Sequence, residues 1–129
     1  MLMVDRVVSI EEGRSIRAIK NVTASESYFP GHSRGRAALP GTLIVEAIGQ
    51  SASILFTRTT GTGVRPGEFL ILGAINEMRF LRPVIPGDKM EINVTVSKLV
   101  GGFAVVEAAV TVEGTEVARG TLGFARRTL

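Results

Sequence analysis

The chain has no cysteine and no tryptophan, and a single histidine stands among its 129 residues. Without cysteine there is no disulfide framework, no thiolate metal ligand and no thiol nucleophile, which fits a reducing compartment, so a cytoplasmic location is expected. Long apolar runs are missing too. No stretch approaches the roughly twenty apolar residues a spanning helix needs, and the N-terminal MLMVDRVVS acquires charge too early for a secretory signal. The chain reads as soluble and unprocessed, with no membrane partner. In that setting the Asn-Val-Thr triplets at 21–23 and 93–95 are chance matches to a glycosylation pattern. Aromatics are few, six Phe and one Tyr, and do not interleave with the scattered basic residues. The net charge of +3 therefore lacks the stripe that nucleic-acid binding uses, and nucleic acid is not an expected partner.

What is present describes a globular protein, with 45% hydrophobic and 21% charged residues. The length suits one domain over residues 1–129, able to bury about two-thirds of the surface of its unfolded chain. Arg6–Ile10 and Ser15–Val22 are short, rich in β-branched residues and separated by the turn Glu11-Glu12-Gly13, so they read as a hairpin. From Thr23 to Leu39 the periodicity is lost in a loop, with one helical turn expected near Ser25–Tyr28. From Pro40 to about Thr59 the pattern is helical, because proline is tolerated at a helix start and the run is too long for one strand. The loop Thr60–Gly67, with its TGTGVRPG, has too few features for a phosphate cradle. The period then becomes two. Phe69–Leu81, Lys89–Leu99, Phe103–Val112 and Glu116–Arg126 read as strands, with Arg82–Asp88 a stiff crossover between the first two. The sum is α+β, a curved antiparallel sheet wrapped around one long central helix.

The chemistry gathers in GHSRGRAALPGTLIVE, residues 31–46, where His32 sits in the loop and Glu46 lies inside an apolar helix. Imidazole takes and returns a proton at little cost near neutral pH, although a lone loop histidine is more often a surface residue. An ionised carboxylate in an apolar setting costs several kcal/mol unless it is paired or neutral. Projected at 100° per residue, Thr42, Glu46, Gln50, Ser53 and Thr57 share a sector of about 80°. Pattern alone leaves two readings of this stripe, a solvated helix edge or the wall of a cavity in which a desolvated carboxyl acts as a general acid. Gly41 and Thr42 open the helix, where N–H groups lack intrahelical partners and the dipole is positive. They are the candidate donors to a substrate oxyanion, against the plainer reading of a routine helix start. Together these groups suit one reaction class, removal of a proton beside a carbonyl while a leaving group two carbons away departs.

At these residues the sequence resembles the 3-hydroxyacyl-acyl-carrier-protein dehydratases of bacterial fatty acid synthesis, the FabZ type of hot-dog-fold proteins. VDRV at 4–7, AIKNVT at 18–23, GH at 31–32, LPG at 39–41, the run Leu43–Ala47 with Gln50, and RFLRPVIPGD at 79–88 carry the likeness in order along nearly the whole chain. The resemblance implies a hot-dog fold that dimerises by joining two sheets and assembles as a trimer of dimers. It places each active site between protomers, with His32 from one and Glu46 from the other. It further implies that His32 is the base at the α-carbon, that Glu46 helps the hydroxyl leave as water, and that the Gly41 N–H holds the thioester carbonyl, without metal or organic cofactor. Glutamate, where related isomerising dehydratases have aspartate, implies dehydration without double-bond migration. The implied partner is acyl carrier protein, an acidic protein that Arg34, Arg36, Lys98, Arg126 or Arg127 would attract.

Three positions depart from the family pattern, since Ser33, Arg34 and Ala37 stand where Phe-Pro and a second proline are usual. Losing two prolines loosens the loop, and Arg34 adds a charge near the pocket. The chain also begins at the first shared motif, where the family often has a short leader. Two rival functions follow: a hot-dog thioesterase in which Glu46 activates water, and a non-catalytic acyl-binding or assembly subunit.

Overall fold

The structure is a computed structural model that describes residues 4–23, 38–57 and 68–128. Strands β1 (Arg6–Glu11) and β2 (Ser15–Asn21) are followed by helix α1 (Gly41–Thr57), then by β3 (Glu68–Phe80), β4 (Lys89–Val100), β5 (Phe103–Val112) and β6 (Thr115–Thr128). All six strands form one antiparallel sheet in the order β1-β2-β4-β5-β6-β3. The expected elements are present to within a few residues at each end. The expected helical turn near residues 25–28 and the loop 60–67 lie outside the described residues.

Alternation decides which side of the sheet meets the helix. Ile16, Met90, Ile92, Val94, Val106, Val110, Ala118, Leu122 and Phe124 are buried on one face. Between them on the other face stand Glu91, Asn93, Thr95, Glu107, Arg119 and Thr121, and Arg17 pairs there with Glu91. Helix α1 lies on the apolar face, packed on β2 and β4 and touching β3. It buries Ile44, Ala47, Ile48, Ser51, Ala52, Leu55 and Phe56, a spacing of three and four that lines one side of a helix. Ala47, Ser51 and Ala52 are small, so the backbone approaches the sheet closely. The Ser51 hydroxyl donates to the Ala47 carbonyl at 2.9 Å and is buried without an unmet group. At the far end the Phe56 and Phe124 rings lie 6.5 Å apart, tilted by 57°.

The enclosure is less complete than the sequence suggests. Leu43, Val45 and Ile54 are only partly buried, and Thr42, Glu46 and Thr57 are exposed. The sheet is open, and one side of α1 is left uncovered within a single chain. Near the N-terminus, Asp5 extends the β1–β2 pairing: its N–H donates to the Ile19 carbonyl at 2.8 Å. Its carboxylate accepts the Asn21 N–H at 2.6 Å and lies 4.0 Å from the Lys20 ammonium, the one charged side chain buried among the described residues.

The helix–sheet contact carries the stability. Ile48→Ala, at a fully buried position, is expected to cost about 2–5 kcal/mol, whereas Val8→Ala on the exposed edge strand should stay within about 0.5 kcal/mol. Urea unfolding of the two variants checks the contrast.

Candidate active site

The helix start is built by Pro40 and Gly41. The Pro40 carbonyl accepts the N–H groups of Leu43 at 3.0 Å and Ile44 at 3.3 Å. The N–H groups of Gly41 and Thr42 precede these bonds and point out of the helix end. No acidic residue stands in the first turn, so nothing on the helix itself neutralises the positive end of its dipole.

A cleft of about 560 Å³ opens at this end, walled by Leu39, Gly41, Thr42 and Ile44 on one side and by Phe80, Leu81, Arg82, Pro83 and Val84 on the other. It joins two N–H donors, an apolar wall and one guanidinium. The Phe80 ring lies so close to the helix start that a Cβ on Gly41 would sit 2.8 Å from Cζ of the ring. A side chain at this position would push against the ring, so the close approach of Phe80 favours glycine here.

Glu46 is one turn beyond Thr42 on the same side of the helix, which puts the two side chains about 5–6 Å apart at Cβ. It is exposed, and its Oε1 accepts the Gln50 side-chain amide at 3.2 Å. Gln50 and Ser53 are half-buried and Thr57 is exposed, so the whole predicted stripe lines the open side of α1. Within one chain the stripe faces outward and Glu46 is not desolvated. Gly41, Thr42 and Glu46 are thus brought together along one helix edge. His32 lies outside the described residues, as do Ser33, Arg34, Arg36 and Ala37. Among the described residues no group of three or more His, Asp or Glu could hold a metal ion, and no helix is long and apolar enough to cross a membrane. A polar groove of about 590 Å³ on the opposite face of the sheet, with Glu77, Arg79, Glu107 and Arg119, contains none of the predicted residues.

The FabA-like domain family matches residues 1–121. The chain belongs to this family. The 3-hydroxyacyl-acyl-carrier-protein dehydratase FabZ of Escherichia coli O9:H4 (strain HS) is 43% identical over 125 residues, covering 97% of this chain and 82% of that protein. Among solved structures, the dehydratase heterocomplex ApeI:P from Xenorhabdus doucetiae has a TM-score of 0.79 at 14% identity, over 98% of this chain and 84% of that one. A hot-dog-like protein from Thermanaerovibrio acidaminovorans has a TM-score of 0.72 at 19% identity, over 92% and 84%. At such identities the likeness establishes the fold, and this FabA-like chain has the hot-dog fold.

Two side chains of the cleft were not singled out by sequence. Phe80 and Arg82 stand in RFLRPVIPGD, which reads as a strand end and a crossover and carries part of the family resemblance, with no role given to either side chain. Two register shifts along β3 break simple alternation, and it is the pairing of Phe80 with Ala118 in β6 that puts the ring on the helix side, against Gly41. That register is a tertiary fact.

The Phe80–Gly41 contact is open to a double-mutant test. Gly41→Ala is expected to cost about 1 kcal/mol, the low end for overpacking because the ring is half exposed. Combined with Phe80→Ala the penalty should vanish, a coupling above about 0.5 kcal/mol in urea unfolding.

Proposed function

We propose that the protein dehydrates (3R)-hydroxyacyl thioesters of acyl carrier protein to trans-2-enoyl thioesters, in fatty acid or related acyl-chain biosynthesis in the cytoplasm. The observation that carries this reading is the 43% identity to FabZ along 97% of the chain. The site geometry is in keeping with it: a carboxyl group one turn from two helix-terminal donors, beside a cleft with apolar walls.

In the reaction the base removes a proton from the carbon next to the thioester carbonyl. Electrons shift onto the carbonyl oxygen, then return to form the 2,3 double bond as the 3-hydroxyl leaves with a proton as water. His32 is assigned the α-proton, Glu46 gives the departing hydroxyl the proton with which it leaves as water, and proton transfer from the imidazolium back to Glu46 resets both groups. The Gly41 N–H, with Thr42 beside it, meets the charge that develops on the carbonyl oxygen, where a preorganised donor acts most strongly. No metal or organic cofactor enters these steps.

The active unit is assigned as a homodimer, with a trimer of dimers as the assembly. β3 is an edge strand of thirteen residues, and Leu72, Ile75 and Phe80 pair with buried residues of β6, which puts them on the helix side of the sheet. Yet they are 37%, 48% and 50% exposed. A long apolar edge of this kind is a template for a second strand. A second copy docked there covers the apolar side chains and encloses the open stripe of α1, giving Glu46 the dry setting that one chain does not supply.

His32→Ala and Glu46→Gln are each expected to lower turnover of a 3-hydroxyacyl carrier about 10²- to 10⁴-fold while remaining folded and assembled. Product analysis by mass, with enoyl absorbance, checks the reaction. Free thiol without enoyl absorbance would make the protein a thioesterase, and bound acyl thioester without any product would make it a binding subunit. Light scattering is expected to show an even multiple of the 13.7 kDa chain. Ile75→Glu should dissociate it and remove activity together; an active monomer would overturn the shared site.

A further inference from the structure

The two ends of the segment that carries His32 are both fixed to one short turn. On the way in, Val22 donates its N–H to the Asp88 carbonyl at 2.9 Å, and its own carbonyl accepts the Gly87 N–H at 2.8 Å. On the way out, the Leu39 N–H donates to the Val84 carbonyl at 2.7 Å. Val22, Leu39 and Val84 are buried, at 2%, 5% and 1% exposure. These backbone groups would be left unmet in an apolar setting if the attachments broke, which makes breaking them costly. Val84 also walls the cleft at Gly41. The crossover between β3 and β4 is therefore the common support of the His32 segment and of the helix-terminal donors.

One side chain holds that support in shape. Residues Ile85–Asp88 form a β-turn in which the Asp88 N–H donates to the Ile85 carbonyl at 3.1 Å. Pro86 and Gly87 occupy its centre, and Gly87 has φ of +100°, the conformation a type II turn requires at that position. The Asp88 carboxylate then accepts the Ile85 N–H at 3.0 Å, so the same two residues are joined twice. The doubly closed turn sets the distance between Val84, which holds the exit, and Gly87–Asp88, which hold the entrance. Pro83 and Pro86 restrict only their own φ and the residues before them; the Asp88 carboxylate adds the side-chain tie that closes the turn a second time.

We infer that Asp88 is a positioning residue for the base: by locking this turn it fixes where the chain enters and leaves residues 23–38 and so sets the imidazole against the substrate. This rests on the assignment of His32 as base made above. Misplacement of a reacting group by about 1 Å costs on the order of 10²-fold in rate, so a turn relaxed by less than that suffices to be measured.

The test uses the full untagged chain, in which His32 is the only imidazole and its Hε1 gives one resolved NMR signal. Asp88→Ala removes the acceptor, whereas Asp88→Asn keeps an oxygen for the Ile85 N–H. With a 3-hydroxyacyl carrier as substrate, Asp88→Ala is expected to lower kcat about 10- to 100-fold with KM changed less than about threefold, and to move or split the imidazole signal. Asp88→Asn should stay near wild type in both readouts. Where Asp88→Ala does not fold, Asp88→Leu, near aspartate in size and likewise without an acceptor, takes its place. A folded acceptor-less variant with wild-type kcat and an unmoved imidazole signal overturns the inference, and so does an Asp88→Asn variant as impaired as Asp88→Ala. If His32→Ala keeps its activity while Asp88→Ala still moves the imidazole signal, the base assignment fails and the positioning of its segment stands.

Discussion

The structure depends on one contact, the apolar side of α1 laid across the sheet. Its side chains are chosen for closeness as much as for hydrophobicity: Ala47, Ser51 and Ala52 let the backbone approach, while Ile44, Ile48, Leu55 and Phe56 fill the space to either side. The rotation of the helix about its axis is then no longer free, because turning it would expose those side chains at roughly 25 cal/mol for every Å² of apolar surface. With the rotation set, the stripe from Thr42 to Thr57 has to face away from the sheet. The direction of Glu46 is thus a consequence of packing on the opposite side of the helix. It does not depend on a contact of its own.

The same contact fixes the height of the helix start against β3, and β3 is shaped to meet it. Its pairing with β6 shifts register twice, between Leu72 and Ala74 and between Asn76 and Arg79. In the second irregularity Glu77 takes φ of +51°, uncommon for a residue with a side chain. Such bulges bend and twist a strand. Gly120 makes room for the bend, since a Cβ there would lie 2.9 Å from the Met78 Cα. Beyond it the strand delivers Phe80 onto Gly41. Two glycines in distant parts of the sequence therefore serve one local arrangement, the first by admitting a backbone and the second by admitting a ring.

What could be read from the sequence follows from the range of the interactions involved. Strands and helix were legible because alternation and a period near 3.6 are local patterns, and the polar stripe because it repeats within one helix. The crossover at residues 82–88 was legible from its prolines and glycine. The order of strands was not, because nothing local says that β3 pairs with β6 at the far edge while β4 enters the middle of the sheet. For the same reason Phe80 and Arg82 were not seen as cleft residues. The surroundings of Glu46 were ambiguous in sequence for a physical reason that survives in the structure: an outward polar stripe on an apolar helix is what both a solvated edge and a wall awaiting a partner look like. His32 lies outside the described residues, so its place rests on the motif and on the family.

The exposed position of Glu46 and the electropositive helix start bear on one another through the dielectric. A unit charge and a set of backbone dipoles interact weakly across water and several times more strongly when water is displaced. A site designed around helix-terminal donors and a carboxyl group is therefore strong only when covered. A single chain contains both groups, leaves Glu46 exposed and Gly41 only partly buried, and leaves apolar side chains bare, Phe80 and Leu81 at the cleft and Leu72 and Ile75 further along β3. Apolar side chains left at the rim of a polar site favour whatever buries them, and burying them displaces water from the site at the same time. In the proposed dimer the hydrophobic free energy of association and the electrostatic strength of the donors and the carboxyl group would be drawn from one event, coupling assembly to activity without any residue having to move.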